Sequence, residues 1–235
     1  MMKEYTLVWD VAKQNDATVI QIYRRTPEFI GERNQRMFVY NDLIWQTMWE
    51  QVPYTEQVER VYTLLEGEQL KNNNHLLLDG TGVGQAVADI ARAKTLQPLE
   101  IVFSAGAKEQ PLYMGGADKR FGGGMEMNVL RGWSVPKVDM IDAAKVMMEQ
   151  NRIRVAPGIP YEAMFKQQLL HFQGKVNEKG HTTYGNDEIA KHDDFVAAFI
   201  MAQWWFRRCE AETKALERPV KKQTEYTWNP FDYTI

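Results

Sequence analysis

Three apolar runs separated by polar residues open the chain, and they have the composition of β-strands. Residues 4–12 (EYTLVWDVA) and 17–25 (ATVIQIYRR) are rich in β-branched and aromatic side chains, and turn-forming residues lie between them. A third run, RMFVYNDLIW at 36–45, has the same character. The pattern predicts a hairpin followed by a third antiparallel strand.

Beyond Pro53 the apolar positions recur with the period of a helix. Val58, Val61, Leu64 and Leu65 lie at helical spacing within the segment that this proline opens. Two short apolar runs then flank another helical pattern, in the order HLLLD, GQAVADIARAKT and LEIVFSAG. The predicted order is therefore three strands, a helix, a strand, a helix and a strand.

Glycines interrupt this regular pattern between residues 107 and 135. The stretch MGGADKRFGGG has five glycines around Lys119 and Arg120, which makes it too flexible for a packed core. It predicts a hairpin or loop. Regular periods return after Pro136 and predict a helix, a short strand and two helices: VPKVDMIDAAKVMMEQN, RIRVAP, YEAMFKQQLLHF and KHDDFVAAFIMAQWWFRR.

The last part of the sequence differs in composition from the rest. After Cys209 the residues are charged and then aromatic, up to YTWNPFDYTI. No internal repeat or low-complexity linker divides the sequence before that point. We interpret residues 1–208 as one α/β domain and residues 209–235 as a C-terminal tail that is flexible or docks on a partner.

Composition limits the classes of protein to consider. With 44% hydrophobic and 25% charged residues, the chain has the composition of a globular protein. Its single cysteine excludes an internal disulfide, and no apolar run approaches the roughly 20 residues of a membrane span. We therefore expect a soluble intracellular protein. The net charge of −3 lacks the basic surplus usual in nucleic-acid binding, although a basic patch beside an acidic site stays compatible with it.

Asp79 precedes three closely spaced glycines in the sequence HLLLDGTGVG. A dinucleotide fingerprint, G-x-G-x-x-G, would need its third glycine where Gln85 stands, and the strand is not the first of a βαβ unit. The phosphate-binding motif G-x-x-x-x-G-K-[ST] does not occur. We interpret the glycines as a tight strand-to-helix turn that leaves Asp79 exposed at the carboxyl end of its strand.

The other candidate acids have ordinary explanations when each is taken alone. Asp10, in the middle of the first predicted strand, suits the solvent face of a half-buried strand. Asp193 and Asp194 suit the N-cap and the first turn of the last helix, where negative charge is favourable. A cap accounts for one aspartate of the HDD triplet better than for both.

Taken together, these acids form a pattern. In a sheet of this order the first strand is central and the fourth lies beside it, so Asp10 and Asp79 would approach one edge, which the late helix can cover. Clustered carboxylates repel one another unless a divalent cation neutralises them. Oxygen-only ligation favours Mg²⁺ or Mn²⁺ over zinc. Two such ions about 4 Å apart support in-line phosphodiester hydrolysis.

Several segments, in order, resemble the nuclease half of the large terminase subunit of tailed bacteriophages. LVWDVAKQNDATVIQIYRR is similar to that family's first hairpin, and LLLDGTGVGQAVADIA to its second acidic strand and helix. The helices VPKVDMIDAAKVMMEQN, YEAMFKQQLLHF and HDDFVAAFIMAQWW complete a resemblance over roughly residues 4–207. It implies a ribonuclease H-like α/β fold: a mixed five-stranded sheet flanked by helices, with a glycine-rich β-hairpin insertion.

The resemblance also implies an activity and the residues that carry it. The activity is a two-metal endonuclease that cuts double-stranded DNA during genome packaging. Asp10 and Asp79 would be the first two ligands of the Mg²⁺ or Mn²⁺ ions. Asp194 would be the third ligand, with Asp193 as its neighbour or an alternate ligand.

Five further residues have roles by position in this resemblance. His192 would orient a carboxylate or a water, although a capping or packing role is equally compatible. Asp16 matches an acid of the family's second turn, or only shapes the hairpin. Lys137 would contact phosphate or be a solvated lysine at a helix start, and Lys119 and Arg120 would touch the DNA backbone.

The implied partners are double-stranded DNA, the terminase ATPase domain, the small terminase subunit and the portal protein, in the cytoplasm of an infected bacterium, with no membrane. Nothing in the chain resembles the ATPase domain, so we expect an excised domain or a split-gene product. Two alternatives stay open: another ribonuclease H-like nuclease such as a junction resolvase, and a non-catalytic DNA- or portal-docking module. Retention of four mutually repelling acids argues against the docking module.

Overall fold

The computed structural model describes residues 3–12, 17–30, 36–106, 108–117, 126–176, 182–186 and 192–213. The first part contains strands β1 (Tyr5–Asp10), β2 (Thr18–Ile30), β3 (Arg36–Trp49), β4 (Asn74–Asp79) and β5 (Leu99–Ser104), with helices α1 (Tyr54–Glu66) and α2 (Gly84–Ala93). The second part contains strands β6 (Gln110–Ala117), β7 (Glu126–Pro136), β8 (Ile153–Val155), β9 (Phe172–Val176) and β10 (Thr182–Asn186), with helices α3 (Lys137–Glu149), α4 (Glu162–His171) and α5 (Asp194–Thr213).

Eight of the described strands form one mixed sheet, in the order β6-β7-β5-β4-β1-β2-β3-β8. The five strands β1 to β5 lie together at its centre, as predicted. β1, β2 and β3 are paired antiparallel, whereas β4 is parallel to β1 and β5 is parallel to β4. The sheet is therefore mixed, with the predicted central strand β1 beside β4.

Three more strands widen the sheet beyond the five that were predicted. β6 and β7 form the predicted glycine-rich hairpin, and β7 is parallel to β5, so the base of this hairpin belongs to the main sheet. At the opposite edge β8 pairs in parallel with β3. The segment between β6 and β7, with Lys119 and Arg120, lies outside the described residues.

A second antiparallel hairpin, β9–β10, was not predicted from the sequence. It forms a separate two-stranded sheet, with Tyr184 opposite Gly174. Its strands, FQGKV and TTYGN, contain few apolar residues and show no alternation that would indicate a buried face. Periodicity therefore gave no signal for it.

Helices cover the central sheet on both faces. Leu7 and Trp9 of β1 pack in one hydrophobic cluster with α1 and α2, whereas Val8 packs in a second cluster with α3, α4 and α5. All three side chains are buried, which explains why this strand is apolar over consecutive positions. β1 therefore lies in the middle layer of a three-layer domain, with α5 on one of its faces.

Buried amides connect α5 to the sheet. The Asn41 amide on β3 donates to Gln203 Oε1 on α5 (2.9 Å). Gln21 Nε2 on β2 donates to the carbonyl of Phe195 at the start of the helix (3.3 Å). Because buried polar groups need specific partners, these bonds define the position of α5 along the sheet as well as its depth.

α5 continues to Thr213, five residues past the predicted end of the domain at 208. Residues 214–235 lie outside the described residues, so the proposed tail stays a prediction. Cys209 is buried on the helix. No helix in the described part of the chain is both long and apolar enough to cross a membrane.

Candidate active site

Asp10 and Asp79 end two adjacent parallel strands at the same edge of the sheet. In the pairing of β1 with β4, Trp9 lies opposite Leu78, and the next residue of each strand is an aspartate. Asp10 is the last residue of β1, so its prediction in the middle of that strand was wrong. The prediction failed because Val11, the residue after Asp10, is also apolar and buried, although it lies beyond the residues of β1 that pair with other strands.

A glycine turn holds Asp79 at the start of α2. The Thr81 N–H donates to Asp79 Oδ1 (2.8 Å), and the Thr81 hydroxyl accepts a bond from the Phe103 N–H (3.0 Å). Gly82 has a φ of 64°, and a Cβ added at Gly84 would lie 1.7 Å from the Asp79 carbonyl oxygen. The glycines therefore allow the tight turn that was predicted, and they also allow a close backbone approach that was not.

The start of α5 places two further acids near this edge. Asp194 is the first residue of the helix, and the carbonyl of Asp193 accepts a bond from the Ala197 N–H (2.7 Å). Gln168 of α4 accepts a bond from the Phe195 N–H (3.0 Å), which satisfies another donor of the first turn. The backbone that carries both aspartates is therefore held by α4 as well as by the helix.

The acids act on one another electrostatically. Burial and the negative charges of Asp79, Asp194 and Asp193, in that order of effect, raise the pKa of Asp10 well above its ordinary value. Burial also raises the pKa of Asp79, and hydrogen bonds from Thr81 partly offset this rise. The structure thus brings the four predicted acids into one field of negative charge at the carboxyl ends of β1 and β4.

Lys137 lies within this acidic cluster. It follows β7, whose carboxyl end is at the same edge because β7, β5 and β4 are parallel. Its ammonium donates to Asp193 Oδ2 (3.2 Å) and to the Tyr184 carbonyl (3.2 Å), and it lies 5.5 Å from the centre of the Phe172 ring. Its charge also lowers the pKa of Asp79, against the effect of burial.

The donor set fits a hard divalent cation. Burial and then the negative charges of the other three carboxylates raise the pKa of Asp10, and a bound cation would offset this charge, of which Lys137 neutralises only the part on its partner Asp193. Among the described residues, however, no three carboxylate, imidazole or thiol groups are arranged as a closed set of metal ligands. The fit therefore rests on charge and donor chemistry, and the ligand assignments stay predictions.

The remaining predicted residues are distributed differently. His192 is exposed and precedes the two aspartates. Asp16, Lys119 and Arg120 lie outside the described residues, so the roles predicted for them stay predictions.

Sequence reasoning missed a buried ion cluster behind the Asp79 turn. Glu100 of β5 is fully buried and binds Arg92 of α2 (2.5 Å) and Arg131 of β7 (2.5 and 2.6 Å). A Cβ added at Gly80 would lie 3.2 Å from Glu100 Oε2, so the cluster supports the turn directly. The one available signal was a glutamate inside the apolar strand LEIVFS.

Comparison with solved structures identifies the fold. The structure is similar to the large terminase nuclease of thermophilic phage G20c with bound cobalt, with a TM-score of 0.56 and 15% identity over 86% of this chain and 80% of that chain. The same nuclease with bound magnesium gives the same values. The nuclease domain of the Thermus phage P74-26 large terminase gives a TM-score of 0.51 at 15% identity, over 85% and 78% of the two chains.

This chain has the fold of a phage large-terminase nuclease. The predicted ribonuclease H-like α/β fold is thereby confirmed, and the sheet order and flanking helices agree with it. No protein-family model and no curated protein sequence matches the chain. At 15% identity this similarity shows the fold and does not by itself show the activity.

Proposed function

We propose that this chain is a metal-dependent endonuclease that cleaves double-stranded DNA as the nuclease domain of a phage terminase during genome packaging. The observation that carries the proposal is the meeting of Asp10, Asp79, Asp193 and Asp194 at the carboxyl-end edge of the sheet. Such edges are where α/β sheets bind ligands. The bound cobalt and magnesium in the G20c nuclease support a divalent cation as cofactor.

Three of the acids share one task in this proposal. Asp10, Asp79 and Asp194 would hold two Mg²⁺ or Mn²⁺ ions, and these, when bound, supply an activated water and neutralise charge on the scissile phosphate. The Thr81 N–H orients the Asp79 carboxylate through its bond to Oδ1. α5 carries Asp194 on a first turn that Gln168 holds in place.

The terminase role implies the remaining partners. The ATPase domain, the small terminase subunit and the portal protein would act with this chain in the cytoplasm of the infected bacterium. A chain with a net charge of −3 gains little from counterion release on DNA. Cleavage by the isolated chain is therefore expected at low salt and high enzyme concentration.

The proposal is tested by incubating supercoiled plasmid with the protein and Mn²⁺ or Mg²⁺ at low salt, with and without EDTA. Nicked and linear products are expected only when free metal is present. The matched pair Asp194→Asn and Asp193→Asn adds a second criterion, because the first should abolish cleavage and the second should reduce it less. Absence of cleavage under all conditions would favour a docking module. Cleavage of a four-way junction but not of duplex DNA would favour a resolvase.

Loss of two positively charged side chains from the glycine-rich hairpin should weaken DNA binding to the same extent for all DNA sequences. We expect Lys119→Ala combined with Arg120→Ala to reduce the slope of log affinity against log salt by about one to two, since each lost phosphate contact removes about 0.9. The control is Lys145→Ala with Lys166→Ala, two exposed lysines on α3 and α4. Equal slopes in wild type and the hairpin variant would place the hairpin away from the DNA.

A further inference from the structure

The ammonium of Lys137 joins parts of the molecule that are far apart in sequence. Lys137 is the first residue of α3. Its ammonium pairs with Asp193, which precedes α5, and donates to the carbonyl of Tyr184 in β10. It also lies 5.5 Å from the ring of Phe172, the first residue of β9. With 27% of its side chain exposed, it is too engaged in internal contacts to be only a solvated lysine at a helix start.

The two neighbouring aspartates differ in how they relate to the acidic cluster. Asp193 Oδ2 is 3.2 Å from Lys137 Nζ, so much of its charge is neutralised within the protein. Asp194 lies one residue further on and is the first residue of α5. The helix therefore carries Asp194 in its first turn, whereas Asp193 precedes the helix and its carboxylate is paired with Lys137.

We propose that Lys137 is a positioning residue that withholds Asp193 from the cation site and couples the β9–β10 hairpin to this arrangement. The inference rests on the proposed function, because it takes the acidic cluster to be the cation site. Lys137 pairs with Asp193 on one side and binds the hairpin through Tyr184 on the other. Asp194 is then the aspartate of the HDD triplet that serves the cation, and the hairpin is held beside the site.

This arrangement has a consequence for metal affinity. A lysine ammonium inside the cluster repels an incoming cation and also occupies a carboxylate that could otherwise coordinate it. Removal of the ammonium should therefore strengthen metal binding, which is the opposite of what loss of a purely structural residue would do. The gain should depend on Asp193, because Asp193 is the group that is released.

The test measures Mn²⁺ affinity by calorimetry on the full chain, without DNA, in a double-mutant cycle. Lys137→Met, which keeps the side-chain stem, is expected to bind Mn²⁺ about three- to tenfold more tightly than wild type. In the Asp193→Asn background the same change should give a clearly smaller gain, because only the repulsion between the ammonium and the cation is then removed. Lys137→Arg keeps the cation and should stay near wild type.

A gain of equal size in both backgrounds would overturn the proposal, because it would reflect long-range charge alone. An unchanged or weaker affinity of Lys137→Met, in a variant whose circular dichroism spectrum and Tm match wild type, would overturn it as well. Because the readout is metal binding, a protein that binds Mn²⁺ as expected but does not cut DNA would contradict the proposed function and leave this inference standing.

Hydrogen exchange tests the second half of the proposal. In Lys137→Met the amides of Phe172–Val176 and Thr182–Asn186 should exchange faster than in wild type, since the Tyr184 carbonyl loses its donor and Phe172 loses its cation. Lys137→Arg keeps the positive charge, so these amides should exchange at the wild-type rate in that variant. Unchanged exchange in Lys137→Met would show that the hairpin is held independently of Lys137 and would overturn the coupling.

Discussion

Asp10→Asn is expected to reduce metal-dependent cleavage by at least about 10³-fold and, at the same time, to raise the Tm of the metal-free protein at neutral pH. Activity falls because the change removes an anionic ligand at nearly constant volume. Stability rises because burial and three neighbouring carboxylates make the charged form of Asp10 unfavourable in the folded state, as the raised pKa shows. The two effects have opposite signs, which a simple folding defect cannot produce.

The stability difference should depend on pH in a defined direction. A carboxyl whose pKa is raised by folding destabilises the folded state at pH values above that pKa. The loss shrinks as the pH falls and vanishes below the ordinary pKa of an aspartate, about 3.9, where both states are protonated. The difference in Tm between Asp10→Asn and wild type, measured in EDTA, should therefore decrease from pH 7 toward pH 4.

The control for this prediction is Asp142→Asn on α3, whose carboxylate is largely exposed and pairs with Lys145. It should leave both cleavage and Tm nearly unchanged. Cleavage at the wild-type rate by Asp10→Asn would remove Asp10 from the site. A lower Tm of that variant in EDTA would show that the Asp10 charge is compensated within the protein.

Gly84→Ala is expected to cost about 3 kcal/mol or more of folding free energy and to abolish cleavage with it. The added Cβ would lie 1.7 Å from the Asp79 carbonyl oxygen, a backbone atom that cannot move without displacing the end of β4. The first turn of α2 and the Asp79 carboxylate would then change position relative to Asp10. Urea unfolding and the plasmid assay measure the two effects.

The matched control is Gly106→Ala, in the segment after β5. The nearest atom to its added Cβ is Ser104 Oγ at 3.6 Å, an ordinary van der Waals distance, so stability should change by less than about 0.5 kcal/mol. Equal stability of the Gly84 and Gly106 variants would mean that the turn before α2 relaxes freely. The close approach of α2 to Asp79 would then be dispensable for the site.

Local periodicity was sufficient to predict most of the elements. The apolar runs of β1, β2 and β4 and the helical spacing in α1, α3 and α5 follow from the need of each element to bury one face or both. Asp79 could be assigned to a strand end because the glycines after it stop the apolar run at once. Asp10 could not, since the apolar Val11 follows it and conceals the end of the pairing.

The resemblance of ordered segments to terminase nucleases predicted the fold as a whole, and the solved structures bear this out. It also indicated which acids to consider together, although their spacing in sequence, from Asp10 to Asp194, contains no geometric information. The acids meet because β1 and β4 are parallel and in register and because buried amides set the position of α5.

The sequence by itself therefore determined the elements, their order and the set of acidic candidates, because these depend on residues close together in the chain. Only the tertiary structure decided which groups touch: the pairing of Lys137 with Asp193, the contact of Gly84 with the Asp79 carbonyl, and the two arginines around Glu100. The β9–β10 hairpin was likewise found only in the tertiary structure, because its main-chain pairing requires no apolar pattern in the sequence. Each such contact joins side chains or backbones whose distance is set by the packing of other elements, and local sequence does not encode that distance.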